Sequence, residues 1–161
     1  QLDLRRHSLS ALPRGRARSL DLLSPGDVVF VDASEDLVGV GKAVEISDTA
    51  GMELVSGLHT IAARFDSAIL AKGFKAYLQF IPAFRKHLRR LAAGTKVLAT
   101  HRGHVASTEL ELPSPKEQIA IAEVLLDMDS ELSALEARRD KTRALKQGMM
   151  QELLTGRTRI V

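Results

Sequence analysis

Between Asp66 and Glu109 the chain carries Lys72, Lys75, Arg85, Lys86, Arg89, Arg90, Lys96 and Arg102, together with His87, His101 and His104, and no carboxylate. An acid-free run of eight cations favours a polyanionic partner, because lysines and arginines that neutralise phosphates release the counterions condensed on nucleic acid. If the stretch after Pro82 is helical, Arg85 and Arg89 lie four apart, as do Lys86 and Arg90. Two neighbouring rows of like charge then share a face, which slightly destabilises an isolated helix and is relieved by a phosphate backbone. A single basic pair more often marks a solvated helix face, and the length of the acid-free run is what weighs against that meaning. Base reading is separate chemistry. Thr100-His101-Arg102-Gly103-His104 reads as a loop in which Arg102 suits guanine O6 and N7 while hydroxyl and imidazole groups reach other base edges. Gly103 permits close backbone approach, although a plain connecting loop fits the same residues nearly as well. His59, Thr60 and Arg64 are weaker candidates of the same kind.

Other chemistries find less support. His101 and His104 sit three apart, but with no cysteine and no acidic residue nearby they make a poor metal site. Gly39-Val40-Gly41-Lys42 lacks the spacing of a phosphate-binding loop and reads as strand or tight turn. Asp127, Asp129, Glu131 and Glu136 read as solvated positions on a helix. One Tyr and no Trp leave no stacking platform for single strands, so duplex DNA is the better substrate. There is no methyltransferase cofactor loop, no Asn-Pro-Pro-aromatic run and no helicase or nuclease motif, so the chain reads as non-enzymatic by itself, with no cofactor. The net charge of +3 agrees weakly with a polyanionic partner. The lack of cysteine suits a reducing compartment. The lack of a signal peptide or of an apolar run near 18 residues leads to the expectation of a cytoplasmic protein without a membrane partner.

The elements that must position these residues read as an α+β domain over residues 1–112 and a helical region over 113–161. Residues 1–26 are a basic, irregular opening segment with Arg5, Arg6, Arg14, Arg16 and Arg18. Asp27 to Asp32 and Val38 to Ile46 are apolar and β-branched, as strands are. Leu54 to Phe65 predicts a strand pair turning at Ser56-Gly57. Leu70 to Phe80 and Ala83 to Ala93 predict two helices parted by Pro82, with Gly94 as the stop of the second. After the loop through Gly103, Thr108 to Leu112 alternates polar and apolar in strand fashion.

From Ser114 the period changes. Ser114, Pro115 and Glu117 form a capping-box arrangement at a helix start. Ile121, Leu125, Met128, Leu132, Leu135, Arg139, Thr142, Met149 and Leu153 recur at alternating spacings of about three and four, with Leu145 beside the seam. Such a stripe predicts a partner helix packed as a coiled coil, with Arg139 and Thr142 interrupting it. An amphipathic helix lying on its own domain is the plainer alternative. A helix of some 25 to 40 residues spans roughly 40 to 60 Å, more than a domain this small covers.

Leu112-Pro113-Ser114-Pro115-Lys116-Glu117-Gln118 at one end of this region and Gln151-Glu152-Leu153-Leu154-Thr155-Gly156 at the other, with Met128-Asp129 and Lys146-Gln147-Gly148 between, resemble the specificity subunit of type I restriction-modification systems. Ser24-Pro25-Gly26-Asp27-Val28-Val29-Phe30 and Ser56-Gly57-Leu58-His59-Thr60 look like recurring pieces of its recognition domains. What the resemblance implies is a mixed α/β target recognition domain followed by a long helix. Two such halves, within one polypeptide or as a homodimer, are held apart by antiparallel paired helices and read a bipartite duplex target. Methyltransferase subunits dock around them and restriction subunits join further out. The recognition domain here is shorter than that family implies, and Gln1, not being an initiator methionine, suggests a chain that begins inside a longer polypeptide or was trimmed. Two other readings stay open: the DNA-recognition tail of a single-chain restriction and methylation enzyme, and a helical dimerisation adaptor that binds no DNA.

Overall fold

Val28–Val31 (β1) alternates in burial as a strand with one face on a core must, with Val28 and Phe30 fully inward. The computed structural model describes residues 9–13, 15 and 20–159; Arg5, Arg6, Arg14, Arg16 and Arg18 lie outside them. The protein is mixed α/β with a long C-terminal helix. β1 is the middle of a three-stranded antiparallel sheet, flanked by Ala43–Glu45 (β3) and Thr60–Ala63 (β4). Ala33–Ser34 (β2) pairs with Leu98–Ala99 (β5) in a second, two-stranded piece. The helices are Pro82–Leu91 (α1), Arg102–Ala106 (α2) and Pro115–Leu154 (α3), with a 3₁₀ helix over Lys75–Phe80.

Val28, Phe30, Leu70, Phe74, Leu78, Phe84, Leu88, Val105 and Ala122 form one buried cluster. Phe30 is its centre, meeting Phe65 edge-on at 6.3 Å and Phe84 at 5.8 Å between centroids. Backbone contacts divide the chain into a unit over Gln1–Ala122 and a second over Glu123–Val161. The first two turns of α3 therefore belong to the first unit.

Several sequence expectations meet competing forces. The predicted helix over 70–80 is a series of turns ending in the 3₁₀ helix, because Gly73 adopts φ +89 and the Glu45 carboxylate takes the N–H groups of Gly73 and Ala76, at 2.7 and 3.2 Å. The strand foreseen over 38–46 is confined to Ala43–Glu45. Its first part is a turn in which Gly41, at φ +75, lies under Leu88, where a Cβ would come within 2.4 Å of the leucine Cδ1. The strand pair foreseen within 54–65 does not form: Val55 bridges Leu22, and β4 pairs with β1. Thr108 to Leu112 keeps its alternating burial by laying Leu110 and Leu112 against the core, yet it has no partner strand among the described residues. Pro82 does open α1 after an extended Ile81.

The start of α3 is held by Gln118, which is 1% exposed. Its Oε1 accepts from the Ala71 N–H at 2.9 Å, and its Nε2 donates to the carbonyls of Ile69 and Pro113, both at 2.9 Å. Ser114 Oγ accepts from the Glu117 N–H at 3.4 Å, one half of the expected capping box. Ile121, foreseen in the interhelical seam, packs instead on the core of the first unit. At the far end Gly156, at φ +72, donates its N–H to Leu153 O and stops the helix, while the Thr155 hydroxyl folds back onto Gln151 O.

Replacing Gln118 with Ala strands a buried donor and two carbonyls, each costing about 1 to 3 kcal/mol. A loss of about 3 kcal/mol or more in urea denaturation is expected for Gln118→Ala, against a near-neutral Lys116→Ala on the exposed side of the same turn.

Candidate nucleic-acid interface

Phe84 and Leu88 bury one side of α1 and thereby turn the other side out. Arg85, Lys86, Arg89 and Arg90 are all exposed, as are Lys72, Lys96, His101 and Arg102. The two rows of α1 border different depressions. Arg85 and Arg89 flank one lined by Leu37, Val38, Lys42 and Phe80. Lys86 and Arg90 flank another with His87, Ser107 and Glu109. Arg102 borders a third, beside Ala62, Ala63, Asp27 and Arg64. The acid-free run of the sequence thus acquires acidic neighbours in space, Glu109 at one edge and Asp27 at another.

Lys75 is a correction. It is only 2% exposed, and its Nζ donates to the Gly26 carbonyl at 3.0 Å, so it holds a loop and faces no partner. Burial is invisible in the sequence here because Lys75 sits between apolar residues that read equally well as an amphipathic helix. Lys42 is an addition: Gly39 to Lys42 has no phosphate-loop spacing, yet its lysine lies on the rim next to Arg85 and Arg89.

The segment foreseen as a base-reading loop is a short helix. His101 caps it, its Nδ1 accepting from the Gly103 N–H at 3.1 Å. A neutral His101 therefore carries its proton on Nε2 and offers a donor there. His104 stacks on it at 3.6 Å between ring centroids, and its Nδ1 lies 3.1 Å from Thr100 Oγ1. His87 on α1 reaches Ser107 Oγ at 3.1 Å, tying α1 to α2. Among the described residues no group of three metal-ligating side chains comes together.

Arg64 is fixed by a two-pronged pair with Asp27, Nε to Oδ1 and Nη2 to Oδ2, both 2.7 Å, and also reaches Ser24 Oγ at 3.1 Å. That hydrogen bond holds the Asp27 carboxyl below its ordinary value, against burial, with help from the Ser24 N–H and the charge of Lys75. Burial, then the neighbouring charges of His101 and His87, push the His104 imidazole below its ordinary value.

Along α3 the seam residues Met128, Leu132, Leu135 and Met149 are each more than half exposed, Thr142 is exposed, and Leu125 and Leu153 are half-buried. The two polar interruptions satisfy themselves on their own helix. Arg139 Nε pairs with Asp140 at 2.9 Å, and Thr142 Oγ1 donates to the Arg138 carbonyl at 2.9 Å. No helix among the described residues is long and apolar enough to cross a membrane. Compared with known protein families and with curated proteins, the chain has no match.

The two shifted groups act in separate pH windows. His104 titrates below its ordinary 6.5 when folded, so the unfolded chain binds its proton first and stability falls as pH drops from about 6.5 through the folded value. Asp27, lowered from 3.8, contributes stability that is present above that value and lost as pH falls through the folded one. Melting temperature is expected to decline already as pH falls below about 6.5, and His104→Gln to flatten that limb while leaving the more acidic one. A limb unchanged in the variant assigns it to other groups.

Proposed function

We propose that the chain is the DNA-reading half of a type I restriction-modification specificity subunit. In this reading the first unit docks on duplex DNA through α1, and α3 pairs antiparallel with a second such helix, from another copy or another half of the same polypeptide. Methylation and cleavage belong to separate modification and restriction subunits. The observation that carries the DNA half is α1: four exposed cations on one short helix, none of them in an ion pair among the described residues. A phosphate backbone relieves their mutual repulsion, whereas water only screens it.

The charges of α3 support the pairing. Residues 115–136 hold Glu117, Glu123, Asp127, Asp129, Glu131 and Glu136 against Lys116, while residues 137–154 hold Arg138, Arg139, Lys141, Arg143 and Lys146 against Asp140 and Glu152. Two such helices side by side in parallel set like charge on like. Antiparallel, the acidic half of each faces the basic half of the other, and the exposed leucines and methionines supply the seam. The same observation also favours a helical adaptor without DNA, so DNA binding is what separates the two readings.

With Arg85, Arg89 and Arg90 all changed to Gln, duplex binding by fluorescence anisotropy should weaken for every sequence. Its salt dependence should become shallower by roughly one unit of logarithmic slope for each phosphate that is no longer neutralised. Unchanged affinity and slope take α1 out of the interface. Changing Leu132 and Leu135 to Asp should leave the first unit folded and abolish self-association in size-exclusion chromatography with light scattering. A wild-type chain that is monomeric at low salt, alone and with modification subunits, removes the pairing.

A further inference from the structure

We propose that the turn at Gly57–Thr60 is a rigid reading tip whose Leu58 side chain packs on the methyl group of a thymine in duplex DNA. This rests on the DNA-binding reading above and names a base-specific contact within it. Leu58 is 90% exposed, the most exposed large hydrophobic side chain among the described residues. The turn that carries it is braced from several sides. The Thr60 hydroxyl donates to the Gly57 carbonyl at 2.6 Å, the Asp32 N–H donates to the His59 carbonyl at 3.1 Å, and Thr60 is in register with Val31 at the end of β1. His59 itself holds φ +60, a conformation that residues other than glycine seldom adopt. Its Nδ1 lies 3.7 Å from Asp32 Oδ1, a buried oxygen that has no hydrogen-bond partner among the described residues. A residue kept in a costly conformation by its surroundings is commoner at binding sites than in plain connections.

Charge complementarity selects the occupant. The Asp32 carbonyl accepts from the Thr100 N–H at 2.7 Å, so one residue ties the tip to the segment that runs on into the exposed His101 and Arg102. A lone apolar side chain next to the His59 imidazole, at the end of β1 where the Val31 N–H donates to the carbonyl of Lys42 on the cationic rim of α1, matches the edge pattern of DNA. The donors suit phosphates and base acceptors, and the C5 methyl of thymine is the one apolar mark in the major groove. An apolar protein surface would call for more than one exposed hydrophobic residue at the tip, and Gly57 and His59 supply none.

The test removes single methyl groups and nothing else. Sites bound by the full chain are selected from a random duplex library, and each thymine of the selected site is then replaced in turn by deoxyuridine. At one position deoxyuridine should weaken wild-type binding roughly four-fold, the factor that one buried methyl carries. Leu58→Ala should bind both duplexes equally, with the same melting temperature and salt dependence as wild type. Wild-type binding that is indifferent to deoxyuridine at every position, or a Leu58→Ala chain that still discriminates, overturns the tip while DNA binding stands. Failure of the wild-type chain to bind any duplex overturns both.

Discussion

Buried backbone has to be hydrogen-bonded, and the stretch from Asp66 to Phe80 meets that demand with side chains from elsewhere in the sequence. Glu45, fully buried at the end of β3, takes two of its N–H groups. Gln118 takes a third, from Ala71, and gives one donor back to the Ile69 carbonyl while its other reaches Pro113. Gln79, inside the stretch, turns its amide outward onto Ala43, accepting from its N–H at 3.2 Å and donating to its carbonyl at 2.7 Å. That last pair also closes an edge of the sheet, where β3 otherwise leaves unpaired backbone groups. Sheet, irregular stretch and the start of α3 thereby become one packed object, and α1 is carried on it through Phe84 and Leu88.

Charge is distributed in two very different ways in the same unit. Glu45 and Lys75 are inside, each with backbone partners that replace water. Taking an ion out of water is costly, and hydrogen bonds to its charged atoms are what make the position tenable. The cations of α1 are outside, where repulsion between them is damped by solvent and salt. Similar residue types thus serve as internal fasteners in one place and as an open electropositive face in another. Asp27 and Arg64 stand between the extremes: the carboxylate is buried, the guanidinium is 65% exposed, and the pair is fixed in direction more than it is strong.

The long helix obeys a different constraint. At 40 residues it extends about 60 Å, and its apolar stripe remains largely in solvent from Met128 onward. Where it does meet the first unit, Gln118, Ile121 and Ala122 are drawn into packing. Polar side chains that interrupt the stripe, Arg139 and Thr142, each make a hydrogen bond along their own helix. The segregation of acids from bases along its length is a property of the sequence, but it becomes meaningful once the segment is one continuous helix and the two halves lie on one axis.

Local rules reached far in this chain where one force dominated. Pro82 and Pro115 each open a helix, Ser114 caps the second, Gly156 ends it, and the alternation of Val28 to Val31 marks the central strand. The cation-rich surface of α1 was equally legible, since four charges at those spacings have only one helix face to occupy once Phe84 and Leu88 are inside. Tertiary structure decided the rest. Strand partners for Val55, β3 and β4 depend on contacts between distant residues, and nothing local distinguishes a self-paired hairpin from two strands that pair elsewhere. The helix expected at 70–80 yielded to Gly73 and to a carboxylate 28 residues away in sequence. His101 became a cap, and Lys75 became a buried fastener. Periodicity reports which side chains share a face; what covers that face, water or a remote segment, is settled only by packing, because burial energy comes from neighbours that need not be near in the chain.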